Sequence, residues 1–372
     1  MKIGIDIRSA GGEKTGKGFY TLHITRELLK KDKKNDYFLY ADSGVAGFEE
    51  FKNAKTIIIE KRGIFWHRAV AKDVLKENMD VFFAPSSFII PSMLAKASAE
   101  KKIKVIITIH DIAAILFPEF HEKKAVILEK LFIKKAIKAA TKILAVSENT
   151  KKDLIKKFKV QSEKIEVTHC AASADFCPIN TTEEKVKELK EKISIPEKFF
   201  LTVGTIQPRK NYEALLQAFV MFYEKNKNYH LIIVGSSGWG KSDLSKIIEA
   251  NYLQKHVHLL GYITSKNLNF LYNTAQAFIF PSLYEGFGIP PLEAMKAGCP
   301  IIASNTSSIP EVLGEAAIYC DPRSPAEFAF AMEKIISNEE LKADLINKGR
   351  IQSKKFNWEN SAQVLYNLLE TF

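Results

Sequence analysis

Thirteen short apolar runs of strand length recur along these 372 residues, with helical stretches between them. In the first half they read KIGIDIR, YFLYAD, KTIIIE, VFFAPS, KVIITIHD, KILAVS and IEVTHC. In the second they read FFLTVGT, HLIIVGSS, HVHLLGY, AQAFIFPS, PIIASN and AAIYCDP, separated by helical segments such as NYEALLQAFVMFYEK and SDLSKIIEAN. Runs that are apolar throughout, and rich in Val and Ile, need cover on both faces, which a parallel sheet between helix layers supplies. The chain is long for one core and comfortable for two, so the expected fold class is α/β with two doubly wound, Rossmann-like domains. Pro178 and the charged stretch after it mark the break. The expected division is 1–178 for the first domain, 179–195 for a linker, 196–355 for the second domain and 356–372 for a terminal helix carrying Trp358, Val364, Leu365, Leu368 and Leu369. Ligands of open α/β sheets bind beyond the carboxyl ends of the strands, so the expected site is a cleft between two such domains.

Bulk properties exclude several classes. MKIGIDI reads as a strand rather than a signal core, and no apolar run reaches membrane-spanning length, so a soluble cytoplasmic enzyme is expected. Cys170, Cys177, Cys299 and Cys320 lack the spacing of a disulfide framework or a zinc finger. The net charge of +11 is uneven, with twelve lysines against four acids between His121 and Val160. Interleaved with Ile and Leu, those lysines predict a helix with a basic face, either solvated or resting on an anionic membrane surface. No nucleic-acid module accompanies the charge, so nucleic acid is not an expected partner.

The stretch FPSLYEGFGIPPLEAMKAG, residues 280–298, carries the chemistry. An apolar strand ends at Pro281, and Pro290 and Pro291 sit where a helix begins, with Glu285 expected in the loop and Glu293 in the first helical turn. Gly286 and Gly288 let backbone approach a ligand, and the helix start favours a phosphate. Two carboxylates beside a phosphate site point to acceptors for the hydroxyls of a ribose and a sugar. Upstream, FFLTVGTIQPRKNYEALLQAF ends a strand at Gly204 and delivers Arg209 and Lys210 just before a helix whose expected N-cap is Asn211, a pair of cations suited to a diphosphate. In the first half, Gly11, Gly12, Gly16 and Gly18 precede a helix, and the strand KVIITIHD ends in His110 and Asp111. Asp111 is read as a cap for the following turn, and Ser147, Glu148 and Thr150 as helix capping.

The Glu285–Glu293 segment, continued through CPIIASNTSSIPEVLGEAAIYCDP, resembles the donor-site signature of retaining glycosyltransferases of family 4, which have the GT-B fold, and the resemblance covers most of the chain. It implies a C-terminal helix crossing back to the first domain. It also implies transfer of a hexose from a nucleotide diphosphate sugar to a glycan or lipid-linked hydroxyl with retained configuration, with mannose from a guanosine donor as the preferred guess. No metal or other cofactor is implied. Arg209 and Lys210 take the leaving diphosphate, Glu293 the ribose, and Glu285 with the amides of Gly286, Phe287, Gly288 and Ile289 the sugar and phosphate. His110 contacts the sugar, Gly16, Lys17 and Gly18 face the donor, and Gly235, Tyr262 and Ile263 line the nucleotide pocket. The sequence departs from the family where HNG and an aspartate are common, reading His169, Cys170, Ala171 and later Asp175. Two alternatives stand beside this reading: a GT-B sugar-nucleotide epimerase or synthase, and a P-loop ATPase. The latter rests on GSSGWGKS, Gly235 to Ser242, which fits G-x-x-x-x-G-K-[ST], but the following strands HVHLLGY and AQAFIFPS do not end in a magnesium-binding aspartate.

Overall fold

The computed structural model describes residues 1–12, 16–121, 123–179, 195–236, 238 and 244–372, with backbone alone at 124 and 125. All thirteen apolar runs form strands: β1 Lys2–Asp6, β2 Asp36–Ala41, β3 Ala54–Ile58, β4 Val81–Ala84, β5 Lys104–Ile109, β6 Lys142–Ala145, β7 Ile165–Val167, β8 Phe199–Val203, β9 His230–Val234, β10 Val257–Gly261, β11 Phe278–Phe280, β12 Ile301–Ser304 and β13 Ala317–Cys320. They build two entirely parallel sheets, ordered β3-β2-β1-β4-β5-β6-β7 and β10-β9-β8-β11-β12-β13. Counted from its own first strand, each sheet begins 3-2-1-4-5-6, the doubly wound order whose direction reverses beside the first strand. Those reversals fall between β1 and β4, where Ile3 pairs with Val81, and between β8 and β11, where Leu201 pairs with Phe278.

The central strands are buried on both faces, as their unbroken apolar pattern requires. Val105, Ile107 and Ile143 of the first sheet pack with Trp66 and Val70 of the helix Gly63–Lys76. Phe200, Ile233 and Ile279 of the second pack with Leu215, Phe219 and Phe222 of the helix Tyr212–Tyr223.

Contacts divide the chain into two compact units: Met1–Pro118, Lys123–Cys170 and Asn357–Phe372 in one, Glu119–Glu122 and Ala171–Phe356 in the other. The change of unit thus falls at Cys170 and Ala171, and most of the stretch read as a linker lies outside the described residues. The last helix, Trp358–Leu369, belongs to the first unit. Its Trp358 stacks on His23 at 5.2 Å and meets Tyr20 edge-on at 5.8 Å, and the Ser361 hydroxyl donates to the His169 carbonyl at 2.5 Å. All four cysteines are free, three of them buried. Among the described residues no helix is long and apolar enough to cross a membrane.

Candidate active site

In the second unit three strands end in glycines that hold the carboxyl edge together. Gly204 has φ 151° after β8, Gly235 φ 151° after β9, and Gly261 closes β10 with φ 65°. The Gly204 amide donates to Val234 and the Gly235 amide to Gly261. A Cβ on Gly235 would lie 2.0 Å from the Gly204 carbonyl oxygen, so only glycine fits there. Gly238 donates to Ile206 at 3.0 Å. The Gly235 and Gly238 amides are therefore committed to backbone carbonyls, whereas a P-loop aims its amides at phosphate. Residues 237 and 239–243 of that motif lie outside the described residues. Tyr262 is exposed and Ile263 half-buried just past β10.

Against this edge stand the three charged residues singled out in the sequence. Arg209 and Lys210 occupy a short 3-10 turn, Pro208–Lys210, and Asn211 follows in the left-handed region at φ 59°. Asn211 does sit at the N-cap position of the next helix, but its side chain does not cap it. Its amide instead donates to the Pro281 and Pro322 carbonyls at 3.1 and 2.7 Å, tying the cationic turn to the loop after β11. The Arg209 carbonyl accepts from the Leu283 amide at 2.9 Å. Seventy-odd residues apart in sequence, the cations then meet Glu285: Arg209 Nη1 donates to Oε2 at 2.5 Å and Lys210 Nζ to Oε1 at 2.6 Å. Lys210 Nζ also lies 4.9 Å from the centre of the Phe280 ring. Burial pushes the Glu285 carboxyl up, but the charges of Arg209 and Lys210 and the hydrogen bond from Lys210 outweigh it and hold the pKa at about 2. Glu285 is ionised at every physiological pH.

The loop carrying Glu285 is braced by residues that sequence reasoning did not single out. Ser307, at φ 53°, accepts from the Glu285 amide at 2.9 Å, and Ser308 donates to the carbonyls of Glu285 and Phe287 at 2.9 and 3.0 Å. Their one signal was the polar run NTSS between a strand and a proline.

Glu293 is placed differently from expectation. The helix starts at Ile289, one residue ahead of the prolines, with Gly288 as N-cap at φ 106°, and Glu293 falls in the second turn. The prolines occupy early helical positions because their missing N–H groups cost nothing there. They also withdraw two backbone donors from the helix start. Glu293 Oε2 accepts from the Tyr272 hydroxyl at 3.2 Å. Burial raises its pKa to about 7, with Tyr272 and Lys296 opposing. Tyr272 sits in the helix Ser265–Thr274 and gave no local sign of this role.

In the first unit, the helix Gly16–Lys31 begins at Gly16, so Gly16, Lys17 and Gly18 form its first turn rather than the loop before it. Residues 13–15 lie outside the described residues. His110 stands just past β5, where Nε2 lies 2.8 Å from the Pro85 carbonyl. A carbonyl only accepts, so Nε2 carries the proton and Nδ1 keeps its lone pair. Burial, reinforced by Lys17, lowers the His110 pKa to about 4. The imidazole is therefore neutral near neutral pH, with Nδ1 able to accept a hydrogen bond. Asp111 accepts from the Ala113 amide at 2.9 Å, and Ser147 accepts from the Thr150 amide at 3.0 Å, both as caps.

Two doubly wound units, one with an acid–cation cluster at its carboxyl edge, define a two-domain α/β class of fold, and comparisons with known proteins make the class specific. The family model described as Glycosyltransferase Family 4 matches residues 15–176, and that described as Glycosyl transferases group 1 matches residues 185–352. O-antigen chain mannosyltransferase B of Escherichia coli is 31% identical over 287 residues, covering 77% of this chain and 73% of the relative. The serotype-specific mannosyltransferase WbdA of Escherichia coli is 31% identical over 251 residues, which is 67% of this chain but only 30% of that protein. Among solved structures, Anabaena HepE in complex with UDP and glucose superposes with a TM-score of 0.79 at 18% identity, covering 100% of both chains. The chain belongs to glycosyltransferase family 4 and has the GT-B fold.

Proposed function

We propose that this glycosyltransferase moves a hexose, by preference mannose, from a nucleotide diphosphate sugar to a hydroxyl of a glycan or lipid-linked acceptor at the cytoplasmic side of the membrane, in polysaccharide assembly. The observation that carries the reading is the buried Arg209–Glu285–Lys210 cluster beside a glycine-flanked helix start. Two cations held by one carboxylate are a preorganised counter-charge, and an arriving diphosphate competes for them without any reorganisation of the backbone. The mannose preference rests on the relatives' names, an O-antigen chain mannosyltransferase and a serotype-specific mannosyltransferase.

In this mechanism the acceptor oxygen attacks the anomeric carbon on the face from which the diphosphate leaves. The bond from that carbon to the phosphate oxygen breaks, and the acceptor proton passes to the departing phosphate. Configuration is retained. Arg209 and Lys210 neutralise the charge gathering on the leaving group, a task that divalent metal performs in other enzymes, so no metal is required. The remaining lone pairs of Glu285 accept from sugar hydroxyls, Glu293 accepts from the ribose, and His110 Nδ1 accepts from a hydroxyl of the sugar.

Thermal stabilisation by UDP, GDP, ADP and ATP, with and without magnesium, tests the donor assignment, because a ligand that binds only the native state raises the melting temperature. Selective stabilisation by one diphosphate, unchanged by chelator, is the expected result. Stabilisation by ATP only with magnesium overturns it. NMR of the anomeric proton of the product then reads the stereochemistry directly.

A further inference from the structure

Just past β1 stands an arginine that the donor chemistry does not use. Arg8 opens the short 3-10 turn Arg8–Ala10, on the carboxyl edge where the strand order of the first sheet reverses between β1 and β4. Its guanidinium lies over the Trp66 ring, 4.5 Å from the centroid, and Nη1 stands 3.5 Å from His67 Nε2. A guanidinium only donates, so His67 Nε2 accepts and the ring proton sits on Nδ1. Burial, with Arg8 adding to it, lowers the His67 pKa to about 4, and the imidazole brings no charge near neutral pH. Trp66 and His67 are adjacent in the helix Gly63–Lys76 and buried, whereas Arg8 is half-buried.

The backbone that carries this cation is fixed from two sides. Asp6 Oδ1 accepts from the Arg8 amide at 3.1 Å. On the other side, the Thr21 hydroxyl donates to the Lys17 carbonyl at 2.9 Å, which leaves Ser9 to donate to Thr21 at 2.8 Å and Ser86 to donate to Ser9 at 2.9 Å. Ser86 follows β4 beside Pro85, whose carbonyl accepts from His110 at 2.8 Å. Hydrogen bonds thus link the ends of β1, β4 and β5, and Arg8 shares its edge with His110.

What the cation lacks is a counter-charge. Among the described residues the guanidinium forms no ion pair: Asp6 engages the Arg8 backbone, and its Oδ2 has no hydrogen-bond partner there. His67 Nδ1 and Trp66 Nε1, on the two residues that touch the guanidinium, are likewise buried without a partner among the described residues. Buried polar atoms are nearly always satisfied, so three of them on residues in contact with one arginine mark a recognition site rather than a packed core. Stacking on Trp66 occupies a face of the guanidinium and not its N–H edges. Those edges match two oxygens of a phosphate or carboxylate at once.

We propose that Arg8, held by Trp66 and His67, binds an oxyanion carried by the acceptor, a phosphate or carboxylate group on the molecule that receives the hexose. The inference rests on the transferase reading above and narrows its acceptor to an anionic one. Trp66 and His67 are positioning residues: the ring face and the imidazole hold the fork in place, and neither supplies charge that would compete with the ligand.

Calorimetric titration of the full chain with mannose, mannose 6-phosphate and mannuronic acid, at fixed ionic strength, tests it. At least one of the charged sugars should bind about tenfold or more tighter than mannose, and which one does so identifies the oxyanion. Arg8→Gln should abolish that preference, and Lys210→Ala should keep it, because Lys210 belongs to the diphosphate site of the second unit. Arg8→Met, which keeps aliphatic packing on Trp66, replaces the glutamine variant should that one fail to fold. Equal binding of all three sugars overturns the proposal. So does a preference that survives the loss of Arg8, or one that disappears in Lys210→Ala, which would place the anion among the donor-site cations. Failure of the transferase reading is seen separately, as absent stabilisation by nucleotide diphosphates in a protein that still discriminates the charged sugar.

Discussion

The two carboxyl edges share one strand order and differ in electrostatics. At the second unit's edge Glu285 is ionised down to about pH 2 and locked to two cations. At the first unit's edge, burial works against charge. It lowers His110 to about 4 and raises Glu129, near Asp111 and Lys17, to about 7 and Asp6, at the end of β1, to about 6. The same scaffold thus presents a charged, compensated site in one half and, in the other, groups whose charge is opposed by burial. A diphosphate needs the first kind of surface and hydroxyls need the second.

The sharpest way to break this contrast is to remove one member of the charged cluster. Lys210→Ala and Glu285→Ala should each lower turnover by about 10²–10³, and Glu285→Ala, which strands two nearly buried cations, should also cost about 3–5 kcal/mol of stability. Turnover and melting temperature measured together separate the two effects. Near-normal turnover in either variant removes that residue from the mechanism.

Backbone strain sharpens the same comparison. Gly235→Ala forces a methyl into the Gly204 carbonyl at φ 151° and should cost about 3 kcal/mol or more. Gly12→Ala in the first unit, at φ 60° with open space around it, should cost only about 1 kcal/mol. Urea unfolding of both variants gives the difference, and equal costs would refute the tight edge in the second unit.

Within the second unit the two glutamates should titrate in opposite senses. Glu293 has a folded pKa of about 7, raised above the ordinary glutamate range, so the folded state binds more protons and the contribution to stability falls as pH rises from about 4.5 through 7. Glu285 is depressed, and its contribution is present above 4.5 and lost as pH falls toward 2. Melting curves of Glu293→Gln should therefore lose part of the decline between pH 5 and 7, measured against the parent. An identical pH dependence in the two proteins would contradict a raised Glu293.

The smallest effect is expected at His110. Its depressed pKa means that the neutral imidazole contributes fully above 6.5 and is lost as pH falls toward 4. Turnover profiles of the parent and His110→Gln should differ in height but not in shape above pH 6.5. A limb near neutrality that vanishes in the variant would show that the imidazole titrates in the working range.

Much of the fold was legible because its signals are local. Every apolar run became a strand, since a run buried on both faces needs no knowledge of its neighbours to be recognised. The capping roles of Asp111 and Ser147 were legible for the same reason: donor and acceptor are two or three residues apart. Reading failed where a boundary depended on tertiary support. The prolines point to a helix start at Pro290, but Gly288 in the left-handed region starts the helix one residue earlier, which moves Glu293 from the end of the first turn into the second. Asn211 has the sequence position of a cap, yet its amide donates to two carbonyls in other loops. Gly16 and Gly18 have the spacing of a loop, yet they lie in a helix whose Gly18 is buried.

By itself the sequence determined the strand and helix rhythm, the parallel sheets and the acidic and basic residues worth watching, all of them properties of short segments. Tertiary structure decided which charges meet. The pairing of Arg209 and Lys210 with Glu285, the hydroxyl of Tyr272 on Glu293, the serines under the Glu285 loop and the proton on His110 Nε2 all depend on groups far apart in the chain. Protonation states follow from burial and from those partners, so they come into being only when the chain has folded.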